Sequence, residues 1–297
     1  MALTGRADPP LVTVLMPVYN AADHIEVAAR SILEQCVDDL ELLVIDDGST
    51  DGSAEVLRAL DEPRIRVVGQ PNSGLVAALN RGLDEARGRY LARMDADDIS
   101  APGRLRSQLR WFRRHPDGIA CGTDYEMFGS MTGRVRMPRS DRACRQRLLL
   151  AGSLCGASVM MRRDVVTEAA LRFDPQFTHA EDYEFYARLS AFGRIGNVAS
   201  VGYRYRIHPS QVSNRHSAEQ REAHLAIAAA HAHRTGVRAL PDHVVGDLLW
   251  PEGAGVLRTA VITSAAAARA FRRKPGVQTA RFCSRRVIEA TLAARRR

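Results

Sequence analysis

The chain has 297 residues, of which 45% are hydrophobic and 26% charged, a composition typical of a globular protein with a sizeable core. Its longest apolar runs fall far short of the roughly 20 residues that span a bilayer, and its N-terminus lacks the features of a signal peptide. We therefore expect a cytoplasmic protein without a membrane span. The five cysteines are odd in number and form no CxxC pair, which predicts reduced and mostly buried thiols.

The net charge of +8 is concentrated in one segment. Residues 258–297, here called the basic tail, contain 11 basic residues and one acidic residue, whereas the rest of the chain carries a charge of −2. The tail predicts an amphipathic helix, which either packs on the rest of the protein or contacts anionic lipid at the inner face of the plasma membrane. It has no nucleic-acid-binding motif, so we expect no nucleic-acid partner.

Strands and helices alternate four times in the first 94 residues, with short connections between them. Apolar and β-branched runs predict buried strands at 11–16, 40–46, 64–69 and 90–94. Apolar residues at helical spacing predict helices at 21–36, 49–60 and 74–87. This order is typical of an α/β protein with a doubly wound, mostly parallel sheet flanked by helices.

Local signals set the expected ends of these elements. We expect Pro17 to end the first strand, and Ser49, Thr50 or Asp51 to cap the second helix. Gly88 follows the third helix at a position where a C-cap glycine is common.

After residue 100 the pattern becomes less regular. A helix is expected to begin near Pro102, followed by strands at 118–128 and 156–163, a helix at 180–192 and a strand at 198–208. From about residue 216 the chain is rich in Ala and Arg and is expected to be helical.

Polar clusters follow each of the first four predicted strands: PVYN, DDGSTDGS, PNSG and DADD. Ligands of open parallel sheets bind at the carboxyl ends of the strands, so four clusters on the same edge predict a binding site. Taken alone, DDGST is also compatible with an ordinary turn and helix cap. A carboxylate at Asp47 could accept a hydrogen bond from a ring N–H of a nucleotide base.

The DADD cluster predicts a metal site. Asp95 and Asp97 lie two residues apart on an extended segment, so both carboxylates point to the same side. With Asp98 they form a dense acidic group that needs positive charge, and hard oxygen ligands suit Mg²⁺ or Mn²⁺. The alternative is a solvated turn that caps the next helix. An EF-hand loop is excluded because Ser100 stands where that loop requires glycine, and neither a P-loop nor a dinucleotide-binding fingerprint is present.

Six segments in order resemble the family 2 inverting glycosyltransferases of the GT-A fold: VLMPVYN, VIDDGSTDGS, NSGLVAALNRGL, YLARMDADD, HAEDYEFYARL and YRYRIHPSQVS. The resemblance covers about residues 11–214, which are expected to form a GT-A-like nucleotide-sugar glycosyltransferase domain. Residues 215–297 match no motif of the family and are expected to form a helical, basic C-terminal extension.

The resemblance implies transfer of a sugar from a nucleotide diphosphate-sugar, most commonly a UDP- or dTDP-sugar, to an acceptor hydroxyl. The acceptor would be a glycan, a lipid-linked molecule or a small molecule, in cell-surface polysaccharide or glycolipid synthesis. Carried over by position, the residues expected at the nucleotide are Pro17, Tyr19, Asn20, Asp47, Asn72, Gly74 and Asp95, with Asp47 at the base and Asp95 at the ribose.

The same resemblance implies the catalytic residues. Asp97 would hold Mn²⁺ or Mg²⁺, with His208 near the diphosphate, completing the metal site. Asp182 would be the general base, although an acid at a helix N-terminus also has an ordinary stabilising role, which we favour for Glu181. The segment ALRFDPQF at 170–177 lacks the glycines that the family often carries there, which leaves the acceptor open.

Two other functions share some of these features. A sugar-phosphate nucleotidyltransferase would use a similar sheet and metal, but it normally carries a Gly-rich basic loop after the first strand, where this chain has PVYNAADH. A non-catalytic nucleotide-sugar-binding module would not need both Asp97 and Asp182.

Overall fold

The computed structural model describes residues 9–208 and 217–250. The basic tail lies outside the described residues, so the prediction that it contacts the membrane or packs on the protein stays a prediction. None of the helices in the described part of the chain combines the length and the apolar character that crossing a membrane requires.

The first half of the fold alternates strand and helix, as predicted. Its elements are β1 (Val12–Val18), α1 (Ala22–Leu33), β2 (Leu40–Asp46), α2 (Ser53–Ala59), β3 (Ile65–Gly69), α3 (Leu75–Glu85) and β4 (Tyr90–Arg93).

The second half is more varied and contains short elements that the sequence did not predict. Its elements are β5 (Ile99–Ser100), α4 (Arg104–Arg114), β6 (Gly118–Gly129), β7 (Gly133–Val135), α5 (Asp141–Leu148), β8 (Met160–Arg162), α6 (Arg163–Glu168), α7 (Glu181–Leu189), β9 (Arg194–Ile207), α8 (Ser217–Arg234) and α9 (Asp242–Leu249).

All strands of the described residues belong to one sheet, in the order β3-β2-β1-β4-β8-β6-β9-β5, with β7 paired to β6. β1 pairs in parallel with β2 and β4, β2 with β3, and β6 with β9. The remaining pairs, including β8 with both β4 and β6, are antiparallel. The curled, mostly parallel sheet flanked by helices confirms the predicted α/β fold class.

The central strands β1, β2 and β4 are buried on both faces because helices cover each side of the sheet. Every residue of β1 is buried, and its side chains alternate between two apolar clusters. Leu15 packs in the cluster that contains Leu79 of α3, whereas Val14 and Met16 pack in the cluster that contains Ile25 of α1. This alternation follows from the period of two in a strand, and it explains why β1 is apolar at every position except Thr13.

The predicted end of the first strand at Pro17 was wrong. β1 continues through Pro17, which pairs with Ile45 of β2, while β4 pairs with β1 only up to Leu15. Proline is tolerated where pairing remains on one side only.

The two expected helix caps were also wrong. The N-cap of α2 is Gly52, although Asp51 does accept a hydrogen bond from the Ser53 amide at 3.0 Å. α3 is capped at Ala86, and Gly88 serves a different purpose. A Cβ at Gly88 would lie 2.3 Å from the Thr13 nitrogen, so this glycine allows the chain to enter β4 against β1.

Candidate functional site

The carboxyl ends of β1, β2 and β4 lie side by side and carry the polar clusters. The Asp47 amide donates to the Val18 carbonyl at 2.8 Å, and the Met94 amide donates to Leu15 at 3.0 Å, which holds the three strand ends in register. Beyond β1, Tyr19 is 55% exposed, so its ring is available to a ligand. The predicted nucleotide residue Pro17 is buried inside the strand.

Asn20 joins the loop after β1 to the loop after β2. It adopts a positive φ of 50°, a conformation that asparagine tolerates better than most residues. Its side-chain oxygen accepts from the Thr50 main-chain amide at 2.8 Å, and the main-chain amide of Asn20 donates to Ser49 Oγ at 3.1 Å. Asp51 adds a third connection by accepting from the Ala22 amide at 2.8 Å. The two loops therefore form one surface.

Asp47 holds the loop after β3 in the same way. Its buried carboxylate accepts from Gln70 Nε2 at 2.7 Å, from the Ser73 amide at 2.9 Å and from the Gly74 amide at 2.8 Å. A carboxylate offers about four acceptor positions, of which these hydrogen bonds use three. Asp47 thus fixes the segment that contains the exposed Asn72, and its predicted contact with a base stays a prediction.

The loop after β4 contains the three aspartates, and their oxygens are poorly satisfied. Asp98 is 1% exposed, and its Oδ2 has no hydrogen-bond partner among the described residues. Oδ1 of Asp95 also lacks a hydrogen bond there, although Arg93 lies 3.3 Å away. Asp97 is about one-third exposed. Unsatisfied buried carboxylate oxygens are costly, so this loop fits a positively charged ligand.

The end of β9 crosses this acidic loop. The Asp95 amide donates to the Tyr203 hydroxyl at 3.1 Å, and the Arg206 amide donates to Asp98 Oδ1 at 2.6 Å. His208 Nε2 lies 3.2 Å from Asp97 Oδ2. The structure therefore brings together the two side chains that the sequence assigned to the metal, although they are 111 residues apart.

Arg93 connects the acidic loop to the start of α7. Its side chain is 6% exposed, and Nη2 lies 3.3 Å from Asp95 Oδ1 and 3.5 Å from Glu181 Oε1. Nε and Nη1 of Arg93 have no hydrogen-bond partner among the described residues. The buried guanidinium of Arg93 thus bridges the end of β4 and the helix that carries Asp182.

Asp182 lies in the first turn of α7, where its carboxylate contacts the Tyr183 amide and Gly156. Its Oδ1 accepts from the Tyr183 amide at 2.6 Å. Its Oδ2 lies against Gly156, where an added Cβ would come within 2.1 Å of that oxygen. The Tyr186 hydroxyl donates to the Gly156 carbonyl at 3.0 Å, which holds this glycine in position. The absence of a side chain at 156 leaves room for the Asp182 carboxylate.

The segment 170–177 packs beside α7. Phe173 stacks on Phe185 with ring centroids 4.1 Å apart, and Asn80 exchanges two hydrogen bonds with the Phe173 main chain. Asp174 accepts from the Gln176 amide at 2.9 Å, capping a short turn. The aromatic and the acid of this segment therefore have structural partners even without the family's glycines.

The acidic groups shift one another's protonation. Burial, followed by Asp95 and Asp97, raises the pKa of Asp98 to about 8. Burial raises the pKa of Glu181 to about 7 despite the opposing effect of Arg93. Burial also lowers the pKa of Arg93, but Asp95 and Glu181 outweigh that effect and raise it. Negative charge exceeds positive charge here, so a cation would stabilise the ionised carboxylates.

The residues fit a divalent cation only in part. Among the described residues, no group of three or more His, Cys, Asp or Glu side chains is arranged to hold a metal ion. Asp97 and His208 supply two potential ligands, and the unsatisfied oxygens of Asp95 and Asp98 lie in the same loop. A site with one or two protein ligands suits Mg²⁺ when phosphate oxygens of a substrate complete the coordination.

Sequence reasoning missed three residues that organise the site: Arg93, Tyr203 and Arg206. A signal was present for Arg93, since a lone arginine interrupts the otherwise apolar strand YLARM, and a charge inside a buried strand requires a partner. Tyr203 and Arg206 contact the acidic loop only because β9 returns to it more than 100 residues later, which no local pattern shows.

Comparison with known proteins gives the chain's relatives. The model of the family described as glycosyl transferase family 2 matches residues 13–168. An uncharacterized glycosyltransferase of Haemophilus influenzae is 32% identical over 72% of this chain and 70% of its own length. The hyaluronan synthase of Pasteurella multocida is 27% identical over 77% of this chain, which spans only 24% of that synthase.

Solved structures with the same fold are more distant in sequence. Staphylococcus aureus TarS in complex with UDP-GlcNAc has a TM-score of 0.64 at 16% identity, covering 88% of this chain and 72% of that one. A mannosyltransferase of Pyrobaculum calidifontis in complex with GDP-Man and Mn²⁺ has a TM-score of 0.59 at 21% identity, covering 96% and 80%. These neighbours are GT-A glycosyltransferases, and the chain is a transferase that belongs to glycosyl transferase family 2.

Proposed function

We propose that this protein transfers a sugar from a nucleotide diphosphate-sugar to an acceptor hydroxyl by a single displacement that inverts the anomeric carbon. The observation that carries the proposal is the meeting of three distant segments. Asp97 in the loop after β4 lies 3.2 Å from His208 beyond β9, and Arg93 joins the same loop to the start of α7, which bears Asp182.

The loops after β1, β2 and β3 are proposed to bind the nucleotide. Their hydrogen bonds hold them in one arrangement before any ligand arrives, which lowers the entropy lost on binding. The remaining acceptor position of Asp47 suits the ring N–H of uracil or thymine, so UDP- and dTDP-sugars are the proposed donors. Tyr19, Asn20, Asn72 and Gly74 border this surface, and Asp95 is proposed to contact the ribose.

Asp97 and His208 are proposed to hold Mn²⁺ or Mg²⁺ at the donor diphosphate, with Asp98 beside them. When bound, such a cation neutralises negative charge that develops on the leaving diphosphate. The acidic loop of this chain contributes the fixed negative charge that would hold the cation. Arg206 of β9 keeps Asp97 and Asp98 in place by donating hydrogen bonds to the Asp97 carbonyl and to Asp98 Oδ1.

Asp182 is proposed to act as the general base. As the acceptor oxygen attacks the anomeric carbon, the acceptor's hydroxyl proton passes to the Asp182 carboxylate. The bond from the anomeric carbon to the phosphate oxygen breaks at the same time, and the nucleoside diphosphate leaves with that electron pair. The contacts of Asp182 with the Tyr183 amide and Gly156 orient the carboxylate for this transfer.

The setting is proposed to be the synthesis of a polysaccharide or of another cell-envelope glycan. The relatives include a hyaluronan synthase, a chondroitin synthase of Escherichia coli and the succinoglycan biosynthesis protein ExoO of Rhizobium meliloti. The names of these relatives share the assembly of extended glycans, and this supports a growing glycan, or a lipid-linked precursor of one, as the acceptor.

Replacing Asp182 tests the proposed base. Asp182→Asn keeps the size of the side chain but cannot take the proton, so we expect turnover to fall by about a hundredfold or more. Donor affinity, measured by calorimetry with Mn²⁺, is expected to stay within about twofold because the proposed partner of this carboxylate is the acceptor hydroxyl and not the donor. Near-normal turnover in the variant would remove Asp182 from the base role.

A donor panel separates this function from its alternatives. Release of nucleoside diphosphate from UDP-, dTDP- and GDP-sugars, with and without EDTA, is expected to show slow, metal-dependent donor hydrolysis even without acceptor. Pyrophosphate release from a nucleoside triphosphate and a sugar phosphate would indicate a nucleotidyltransferase instead. Donor binding without any turnover would indicate a binding module.

A further inference from the structure

A cavity lies between the C-terminal half of α4 and the first half of β9. Its volume is about 560 Å³, and it is lined by Arg110, Trp111 and Arg114 of α4 together with Val198 of β9. Val198 pairs with Thr123 of β6 and Ile207 pairs with Gly129, six residues further along β6, so the cavity and the end of β9 are roughly 20 Å apart. The cavity is therefore remote from the proposed transfer site.

The lining of this cavity is basic and contains no acidic residue. Arg139, which also lines it, is already paired, since its guanidinium donates to Asp124 Oδ2 at 2.6 Å and to the Val198 carbonyl. Arg110 and Arg114 are exposed and have no ion pair with any described residue. Two uncompensated guanidinium groups beside a concave surface favour an anionic ligand, because arginine binds carboxylate and phosphate groups through paired hydrogen bonds.

Trp111 gives the cavity a rigid aromatic wall. Its ring stacks on His115 with centroids 4.5 Å apart, and the His115 ring nitrogen Nδ1 is 2.9 Å from the Trp111 carbonyl. Glycines at 118 and 196 allow close approach, since an added Cβ at either position would come within 2.9 Å of the indole ring. An aromatic ring that is held in this way offers a flat apolar surface at low entropic cost.

We propose that this cavity binds an acidic oligosaccharide, with its carboxylates on Arg110 and Arg114 and a sugar ring against Trp111. An aromatic ring held in place beside two exposed cationic groups matches a ligand that alternates apolar ring faces with negative charge. A lipid surface, by contrast, would not need a concave site. Binding itself follows from the cavity alone, whereas identifying the ligand as the acceptor or product glycan rests on the proposed function.

The binding test uses the fluorescence of Trp111. The chain has two tryptophans, so the full-length Trp250→Phe protein reports from Trp111 only. We titrate it with a uronic-acid-containing hexasaccharide and with the same hexasaccharide after reduction of its carboxylates to alcohols. Saturable quenching is expected with the acidic form, and about tenfold weaker binding with the reduced form because the charge-assisted hydrogen bonds are lost.

Matched arginine pairs on α4 separate a built site from general attraction. Arg110→Gln with Arg114→Gln is expected to weaken binding about tenfold or more. Arg106→Gln with Arg113→Gln removes the same charge from exposed positions on the same helix that do not line the cavity, and it should leave affinity within about twofold. Equal losses in the two pairs, or no saturable quenching, would overturn the proposal.

Two further arms complete the test. Vesicles of phosphatidylglycerol in phosphatidylcholine should not displace the hexasaccharide; displacement that depends on Arg110 and Arg114 would assign the surface to lipid and overturn the proposal. The Asp182→Asn protein should bind the hexasaccharide normally. A failure of the proposed transferase mechanism therefore leaves this result intact, and a failure of hexasaccharide binding leaves that mechanism intact.

Discussion

The loops after β2 and β4 flank the same strand, β1, and both are acidic, yet they differ in how their carboxylates are satisfied. Asp46, Asp47 and Asp51 each accept hydrogen bonds from backbone amides of the protein. In the loop after β4, one oxygen of each of two aspartates, Oδ1 of Asp95 and Oδ2 of Asp98, has no hydrogen bond among the described residues. We call the first loop finished and the second incomplete, because the second still offers carboxylate oxygens to the cation that we propose.

The largest expected effect comes from removing the proposed metal-binding side chain, Asp97, from the incomplete loop after β4. Asp97→Ala should abolish the part of donor affinity that depends on Mn²⁺ and lower turnover about a thousandfold, because stabilisation by a bound cation supplies several kcal/mol. Calorimetry with a UDP- or dTDP-sugar, with Mn²⁺ and with EDTA, measures the first effect. Unchanged affinity in Mn²⁺ would mean that Asp97 does not hold the cation.

Arg93 is expected to come next, because it links the incomplete loop to α7. Arg93→Met leaves Asp95 and Glu181 without their shared cation, so we expect a loss of about 3 kcal/mol in unfolding free energy and a fall of about a hundredfold in turnover. Arg93→Lys keeps the charge and should recover part of the turnover. A lysine variant no better than methionine would show that the charge is not what matters.

Arg104 provides the matched control for Arg93. It is 1% exposed, but its guanidinium donates to main-chain carbonyls of Arg93 and Ala157 and lies over the Tyr203 ring. Within the described part of the chain it has no ion pair with a carboxylate. Arg104→Met should therefore lose comparable stability in urea unfolding while keeping turnover within about tenfold of the wild type. A turnover loss equal to that of Arg93→Met would assign both effects to general destabilisation.

The strands on either side of this region show how much of the fold the sequence could predict. Strand β2 was predicted with its observed bounds, because an apolar run between polar turns has few other readings. The prediction for β1 failed at Pro17, where tolerance depends on which neighbouring strand has already ended. Periodicity and turn chemistry are local, so they predict elements and the edge on which polar clusters gather.

The site was predictable only as far as its local motifs reach. Asp97 and His208 were assigned together through a family resemblance, and the structure brings them within 3.2 Å. The bridging by Arg93 and the crossing by β9 depend on long-range packing that no window of sequence contains. The incomplete satisfaction of Asp98 is likewise visible only when every neighbour is known.

A smaller effect is expected in the finished loop. Asp47→Asn replaces one accepting oxygen by a donor, so one of the hydrogen bonds that fix residues 70–74 is lost. We expect the donor KM to rise about tenfold with kcat nearly unchanged, because only ground-state positioning of the nucleotide is affected. Asp46→Asn retains an oxygen for its single hydrogen bond with Ser49 and should change KM less than about twofold. A fall in kcat for Asp47→Asn would contradict a purely positional role.

The last prediction asks whether an unsatisfied buried group marks a functional site by itself. His231 of α8 is 3% exposed, and its Nδ1 has no partner among the described residues. Burial, followed by the charges of Arg234 and Arg145, lowers its pKa from 6.5 to about 4. The unfolded chain therefore binds a proton first, and stability that is present above pH 6.5 is lost as the pH falls towards 4.

Replacing His231 should remove that pH dependence without touching activity. Proton binding at His231 is expected to lower the unfolding free energy of the wild type by roughly 2–3 kcal/mol between pH 7 and about pH 4.5. His231→Leu lacks this contribution, so its unfolding free energy, measured in urea at both pH values, should fall by about that much less than the wild type's. His233→Leu, exposed on the same helix, should keep the wild-type slope. Both variants should retain full transferase activity at pH 7. An unsatisfied buried nitrogen such as Nδ1 of His231 affects stability only. The acidic loop after β4 differs because it combines unsatisfied oxygens with excess negative charge at the edge of the sheet. Loss of activity in His231→Leu alone would break the distinction between the two kinds of unsatisfied group.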